Sequence, residues 1–164
     1  ATMLLAGMVV TVLALNGPLR PEPWYDPRYA IPLFGMILGN AMTGISLGLD
    51  GLTSLVGRER AAIEAQLPLG ATRWRALRPI AQRALRTGFT PMLNSMAAAG
   101  VVFLPGMMTG QILSGVAPEQ AVKYQILVLF LIAGASGLGV LTAVLASIWR
   151  LTDDRHRLRL DRLA

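Results

Sequence analysis

The side chains of this 164-residue chain exclude most covalent and metal chemistry before any fold is considered. Cysteine is absent, and the one histidine, His156, lies near the C-terminal end. Disulfides, thiolate metal sites and cysteine nucleophiles are therefore excluded, and HExxH does not occur. Gly44-Ile45-Ser46-Leu47-Gly48 has the GxSxG spacing but sits inside an apolar run without a histidine near it in sequence, so neither a zinc nor a serine hydrolase centre is indicated. The one lysine, Lys123, follows Ala121-Val122, and no GxxxxGK loop exists, so the chain does not hydrolyse ATP through a P-loop. The sequence reads as a non-enzyme that binds no cofactor of its own; ATP-driven work would need a separate subunit. What remains is Asp50, the uncharged polar groups Asn94, Ser95, Thr109, Gln111 and Ser114, and the methionines Met92, Met96, Met107 and Met108. A buried Asp50 would suit cation or proton handling, whereas its place late in an apolar run also suits a carboxylate reaching lipid headgroups. Thioethers suit soft ions such as Cu(I) far better than iron, and adaptable helix packing explains the same methionines.

These groups are set in a chain that is 54% hydrophobic and only 15% charged, against about 25% charged in an ordinary soluble domain. Charge-free stretches cover residues 1–19, 29–49, 87–118 and 124–149. A spanning helix needs about 20 mostly apolar residues, because the hydrocarbon core is about 30 Å thick. The pattern predicts an all-α, polytopic helical membrane protein. It forms a single permease-like domain over 1–164 with spans at about 1–15, 30–57, 88–114 and 121–149. Residues 1–15 carry no basic n-region and no small-residue cleavage pattern, so they read as the latter part of a span with others upstream, not as a signal peptide. Pro18, Pro21, Pro23 and Pro27 with Trp24, Tyr25 and Tyr29 make a stiff interfacial loop. Gly35, Gly39, Gly44, Gly48 and Gly51 recur at helical spacing and predict close helix packing. The third run, 32 residues long, is interrupted at Pro105-Gly106, which predicts a long broken helix or a helix followed by a re-entrant piece. Irregular backbone at membrane depth is tolerated only where protein or water covers it. Asn94, Pro105, Gly106, Thr109 and Gln111, together with Asp50, are therefore the candidate lining of a translocation path. Hydrogen bonding between packed helices is the alternative for each polar group.

The charges between the runs set orientation. Segment 58–87 holds seven arginines and the tail 150–164 holds five, so twelve of the fifteen positive charges fall on one side. The positive-inside rule assigns that side to the cytoplasm, tail included. Net charge +6 with pI near 11 does not indicate nucleic acid, because the arginines are confined to short segments between apolar runs. Segment 58–87 is too polar for lipid and is broken near Pro68 to Gly70, which predicts two short helices at about 58–67 and 72–87. The tail reads as an amphipathic helix at the membrane surface.

Glu64-Ala65-Gln66-Leu67-Pro68-Leu69-Gly70-Ala71-Thr72-Arg73 in that segment resembles the EAA loop of ABC transporter membrane subunits. Glu64, Ala65 and Gly70 match the EAAxxxG core at its spacing; Gln66 replaces the second alanine. The resemblance implies a coupling helix seated on a cytoplasmic ABC ATPase, with Glu64, Ala65, Gly70 and Arg73 in contact. A small-residue face, flanking charges and a glycine able to reverse the chain are what a groove-docking helix requires. Arg73, Arg75 and Arg78 with Trp74 would equally hold a helix against anionic lipid.

A larger resemblance covers residues from about 30 to 150. Leu104-Pro105-Gly106-Met107-Met108-Thr109-Gly110-Gln111-Ile112-Leu113, then Gly115, Pro118, Ala121 and Lys123-Tyr124-Gln125-Ile126, is similar to the signature of the FetB (YbbM-like) iron-export permease family. Plant aluminium-tolerance membrane subunits are similar to the same family. Ile31-Pro32, Gly35-Met36, Gly39-Asn40-Ala41-Met42 and Leu69-Gly70-Ala71-Thr72 fit it in the same order. The resemblance implies the permease of an ABC exporter in the bacterial inner membrane, moving iron or another metal, paired with a separately encoded ATPase and working as a homodimer. An ion-coupled secondary transporter or channel using Asp50, an ABC permease for a nucleotide sugar or other non-metal substrate, and a non-transporting scaffold are the alternatives.

Overall fold

The computed structural model describes residues 2–14, 27–99 and 105–152, and these are helical with no strand elements among them. The order is α1 (Thr2–Ala14), α2 (Pro27–Arg58), α3 (Arg60–Gln66), α4 (Arg73–Ala98), α5 (Gly106–Leu113) and α6 (Pro118–Leu151). The all-α class read from the apolar runs is the observed one. Most of the Pro-rich loop and of the tail, with His156, lies outside the described residues, as does Leu104.

Among the described residues two helices are long and apolar enough to cross a bilayer, Ile31–Arg58 within α2 and Pro118–Leu151. Both start at or near a proline, whose missing N–H is no loss in the first turn. At 32 and 34 residues and about 1.5 Å per residue, both exceed the roughly 30 Å of a hydrocarbon core. The stretch read as the latter part of a first span is the helix α1, whereas the stretch read as the third span is built differently. α1 has 13 residues. α4 is one continuous helix of 26 residues that carries the arginine segment directly into the uncharged run. The helix expected to stop near residue 87 therefore does not stop there, because nothing between Thr87 and Ala98 breaks a helix except Pro91, and a proline removes one ladder bond without ending the helix here. The interruption lies between Ala98 and Gly106, with Pro105 in an extended conformation (φ −59°, ψ 135°) preceding α5. Pro105-Gly106 thus starts the second piece of the run.

α2 is the central element, packed most extensively on α4 and α6, with α1 against α2 and α6 and α5 against α6. At one end Leu52, Val56, Ile63, Leu77, Ile80, Val144 and Ile148 form a core; at the other Val10, Leu33, Ile37, Val128, Ile132 and Ala135 form a second, with Met36 and Met107 against it. Between them the helices meet at glycines. A Cβ on Gly88 would sit 2.6 Å from Val140 Cγ1, 2.9 Å from the Gly44 carbonyl oxygen and 3.2 Å from Gly48 Cα. One on Gly44 would meet the Gly88 carbonyl oxygen and Val140 Cγ2, each at 3.0 Å. The close packing expected of the α2 glycines is thus realised at Gly44 and Gly48, with Gly51 in ordinary contact distance of Ala84 and Thr87. Gly35 and Gly39 have open space where a side chain would go.

α3 is tied to this bundle at two points. Ile63 is buried in the first core, and Glu59, at the α2–α3 junction, accepts a hydrogen bond from Arg83 Nη2 on α4 at 2.6 Å. That hydrogen bond holds the Glu59 carboxyl below its ordinary value and raises the Arg83 guanidinium above its own, with their opposite charges acting in the same sense.

Gly88→Ala is expected to lower the thermal unfolding midpoint in detergent, at roughly 1–3 kcal/mol of overpacking. Gly35→Ala is expected to be neutral or to gain up to about 1 kcal/mol of helix propensity; the reverse order would contradict the glycine crossing. Because the Glu59 pKa is depressed on folding, its tie contributes fully above the ordinary 4.5 and is lost as pH falls through the lowered value. Hydrogen-exchange protection of α3 should accordingly drop on acidification in the wild type, and should already be low and less pH-dependent in Glu59→Gln.

Candidate functional site

Two features stand out: an exposed helix–turn–helix at the arginine-rich end, and a cavity near the interrupted run. The turn is encoded by two residues. After α3 the chain closes with hydrogen bonds from Ala71 N to the Gln66 carbonyl (3.2 Å) and from Gly70 N to the Leu67 carbonyl (3.1 Å), with Gly70 at φ +86°. This nested pair, with glycine in the left-handed region, is the Schellman stop. Two residues later Thr72 is extended and its hydroxyl accepts from Arg75 N at 3.3 Å, capping α4. The same stop recurs after α5, where Val116 N bonds the Gln111 carbonyl, Gly115 N bonds the Ile112 carbonyl, and Gly115 has φ +91°.

Of the residues read as partner contacts, Glu64, Ala65 and Gly70 are exposed at this turn. Glu64 accepts from Arg60 Nε at 2.8 Å across one helical turn, both side chains about half exposed, an arrangement of little energetic weight by itself. Arg73 is half-buried and lines an open groove with Trp74 at the start of α4 and Leu145, Ile148 and Trp149 at the end of α6. The turn therefore presents α3 outward while Arg73 faces the bundle.

The cavity, about 220 Å³, is walled by four elements: Asn40 of α2, Met92, Ser95 and Met96 of α4, Pro105 ahead of α5, and Gln125, Leu129 and Ile132 of α6. Asn40 Nδ2 donates to the Met36 carbonyl at 2.8 Å. Gln125 is 8% exposed and its Oε1 has no hydrogen-bond partner. A buried acceptor left unpaired costs about 1–3 kcal/mol unless a ligand or water meets it. No group of three or more His, Cys, Asp or Glu occurs among the described residues, so the donors available here are amide and hydroxyl oxygens and thioethers.

The residues expected to line a path are only partly brought together. Pro105 is in the wall, and Met92, Ser95 and Met96 join it from the same uncharged run. Asn94, Gly106 and Thr109 are exposed and outside it; Thr109 Oγ1 donates to the Pro105 carbonyl at 3.4 Å. Gln111 is half-buried with Oε1 unpaired, on α5 and not in the cavity. Asp50 is exposed, ten residues along α2 from Asn40 or about 15 Å of helix. Asn40, Gln125, Leu129 and Ile132 are wall residues from outside the uncharged run that the sequence reading placed on the path. Gln125 carries a recoverable signal: it falls on the helical face defined by Ala121, Val128 and Ile132, all buried, where a polar residue needs a partner.

The sequence comparisons bear on this arrangement. The model of an uncharacterised protein family, UPF0014, matches residues 1–151. A membrane protein of that family from Synechocystis is 41% identical over 139 residues, covering 85% of this chain and 53% of its own length. The probable iron export permease protein FetB of Escherichia coli is 35% identical over 153 residues, 93% of this chain and 58% of its own. The Arabidopsis thaliana protein ALUMINUM SENSITIVE 3 is 36% identical over 140 residues, 85% of this chain and 50% of its own. The chain thus spans about half the length of the relatives it matches. No solved structure matches it. With the helices, the turn and the cavity, these matches make the chain a helical membrane protein that belongs to the UPF0014 family.

Proposed function

We propose that the chain is the membrane subunit of an ABC exporter for iron or another metal species, driven by a separate cytoplasmic ATPase. The observation that carries the reading is the continuity of α4. It begins at the exposed Gly70–Thr72 turn and runs unbroken to Met92, Ser95 and Met96 in the cavity wall. A displacement of the turn is thereby delivered about 30 Å away along one helix. The similarity to an iron export permease and the absence of a P-loop in the sequence support a division of labour in which ATP is hydrolysed elsewhere. The arginine distribution supports a cytoplasmic turn and tail in a bacterial inner membrane, and two ATPase subunits acting together call for two membrane halves, here a homodimer.

The cavity also supports a small cargo over a nucleotide sugar. Its volume is below the roughly 300–1,000 Å³ of ordinary organic-ligand pockets, and among the described residues no arginine lines it to meet a phosphate. Asp50, outside the cavity, gives no support to an ion-coupled mechanism.

Gly70→Pro tests the coupling. Proline holds φ near −65° and lacks the N–H that bonds Leu67, so it breaks the turn. Since Gly70 is exposed and its Cβ position is open, the bundle itself should insert and remain stable. ATP-driven metal export is expected to fall to background, as it should in Glu64→Arg, which also sets two like charges together with Arg60. Wild-type export by both variants would sink the assignment of this turn. Asp50→Asn is expected to export at the wild-type rate; its complete loss of flux would instead favour the ion-coupled mechanism.

A further inference from the structure

We propose that the cavity holds a thiophilic monovalent cation, Cu(I) or Ag(I), between the thioethers of Met92 and Met96 and the amide oxygen of Gln125. Three observations converge on that class of ligand. First, the wall offers an open acceptor: Gln125 Oε1 is buried with nothing donating to it, and Asn40, one of whose two amide N–H groups donates to the Met36 carbonyl, adds a second amide oxygen to the wall. Secondly, every wall residue among the described residues is neutral. Desolvation rises with the square of the charge, so a divalent ion in this uncharged setting faces about four times the penalty of a monovalent one. Hard divalent ions take carboxylate oxygens, and none among the described residues lines the cavity. Thirdly, Met92 and Met96 are four residues apart on α4 and share one face, and both are half-buried in the wall. Thioethers are the protein donors that select soft ions. Met42, by contrast, is 58% exposed and apart from the cavity.

This inference names the cargo class for the export reading above and rests on it for the route, but the site itself is open to direct measurement without an ATPase. The full chain is purified in detergent and loaded with Ag(I), with Fe(II) as a separate arm. Retained metal is measured after desalting, and affinity by competition with a Cu(I) chelator. One Ag(I) per chain should be retained by the wild type and by Met42→Leu, and Fe(II) should be washed out. The double variant Met92→Leu/Met96→Leu, a volume-conserving exchange, should bind about tenfold more weakly or not at all, and Gln125→Leu should also be weakened. Undiminished retention in the double variant, no retention by the wild type, or preferential retention of Fe(II) would each overturn the proposal. An intact Ag(I) site in a chain that fails to export with its ATPase would count against the export reading and leave the site standing.

Discussion

The close approach of three helices at Gly44, Gly48 and Gly88 is the constraint on which the rest depends. Apolar helices gain little from meeting one another in lipid, because the lipid tails are equally apolar; close backbone contact and dense packing must supply the attraction. Here the Gly88 backbone takes the space a side chain would need, and Val140 of α6 closes the third side. Asn40 lies one turn from Gly44, and Met92 one turn from Gly88. The cavity walls therefore stand where they do because the crossing is tight beside them.

α4 gives that crossing a mechanical consequence. It is pinned at the glycines, capped by Thr72 at the surface, and reaches the cavity without a break although Pro79 and Pro91 each remove a ladder bond. At its outer surface end the Gly70 stop and the Glu59–Arg83 contact hold α3 in one orientation. A partner that grips α3 acts on a short lever attached to a long helix.

Much of the architecture was legible in the sequence. The charge-free runs disclosed helices in a membrane protein, the break at Pro68 to Gly70 disclosed the turn, and the α2 glycine series disclosed the packing face at Gly44 and Gly48 but not at Gly35 and Gly39, which face open space. Other features were not legible, for identifiable reasons. The switch from charged to uncharged sequence at Thr87 suggested a boundary where the backbone has none, and Gly88 and Pro91 just beyond it, both weak helix formers, gave no sign that α4 continues. Gly88 stands alone on α4 and shows no spacing pattern; its importance comes from what crosses it. Asn40 and Gln125 come from helices far apart in sequence, and only the crossing brings them to one cavity. Asp50 drew notice as a lone carboxylate, yet it is exposed and lies about 15 Å along α2 from Asn40 in the cavity wall.

The turn, the continuous helix and the uncharged cavity form one path from a surface that can be gripped to a site that can hold a small ion. The most direct measurement of that link is metal flux in proteoliposomes containing this protein, with and without a cognate ABC ATPase. ATP-dependent flux only when both are present is the expected result. Flux from this protein alone along an ion gradient, with no response to the ATPase or to ATP, would contradict it.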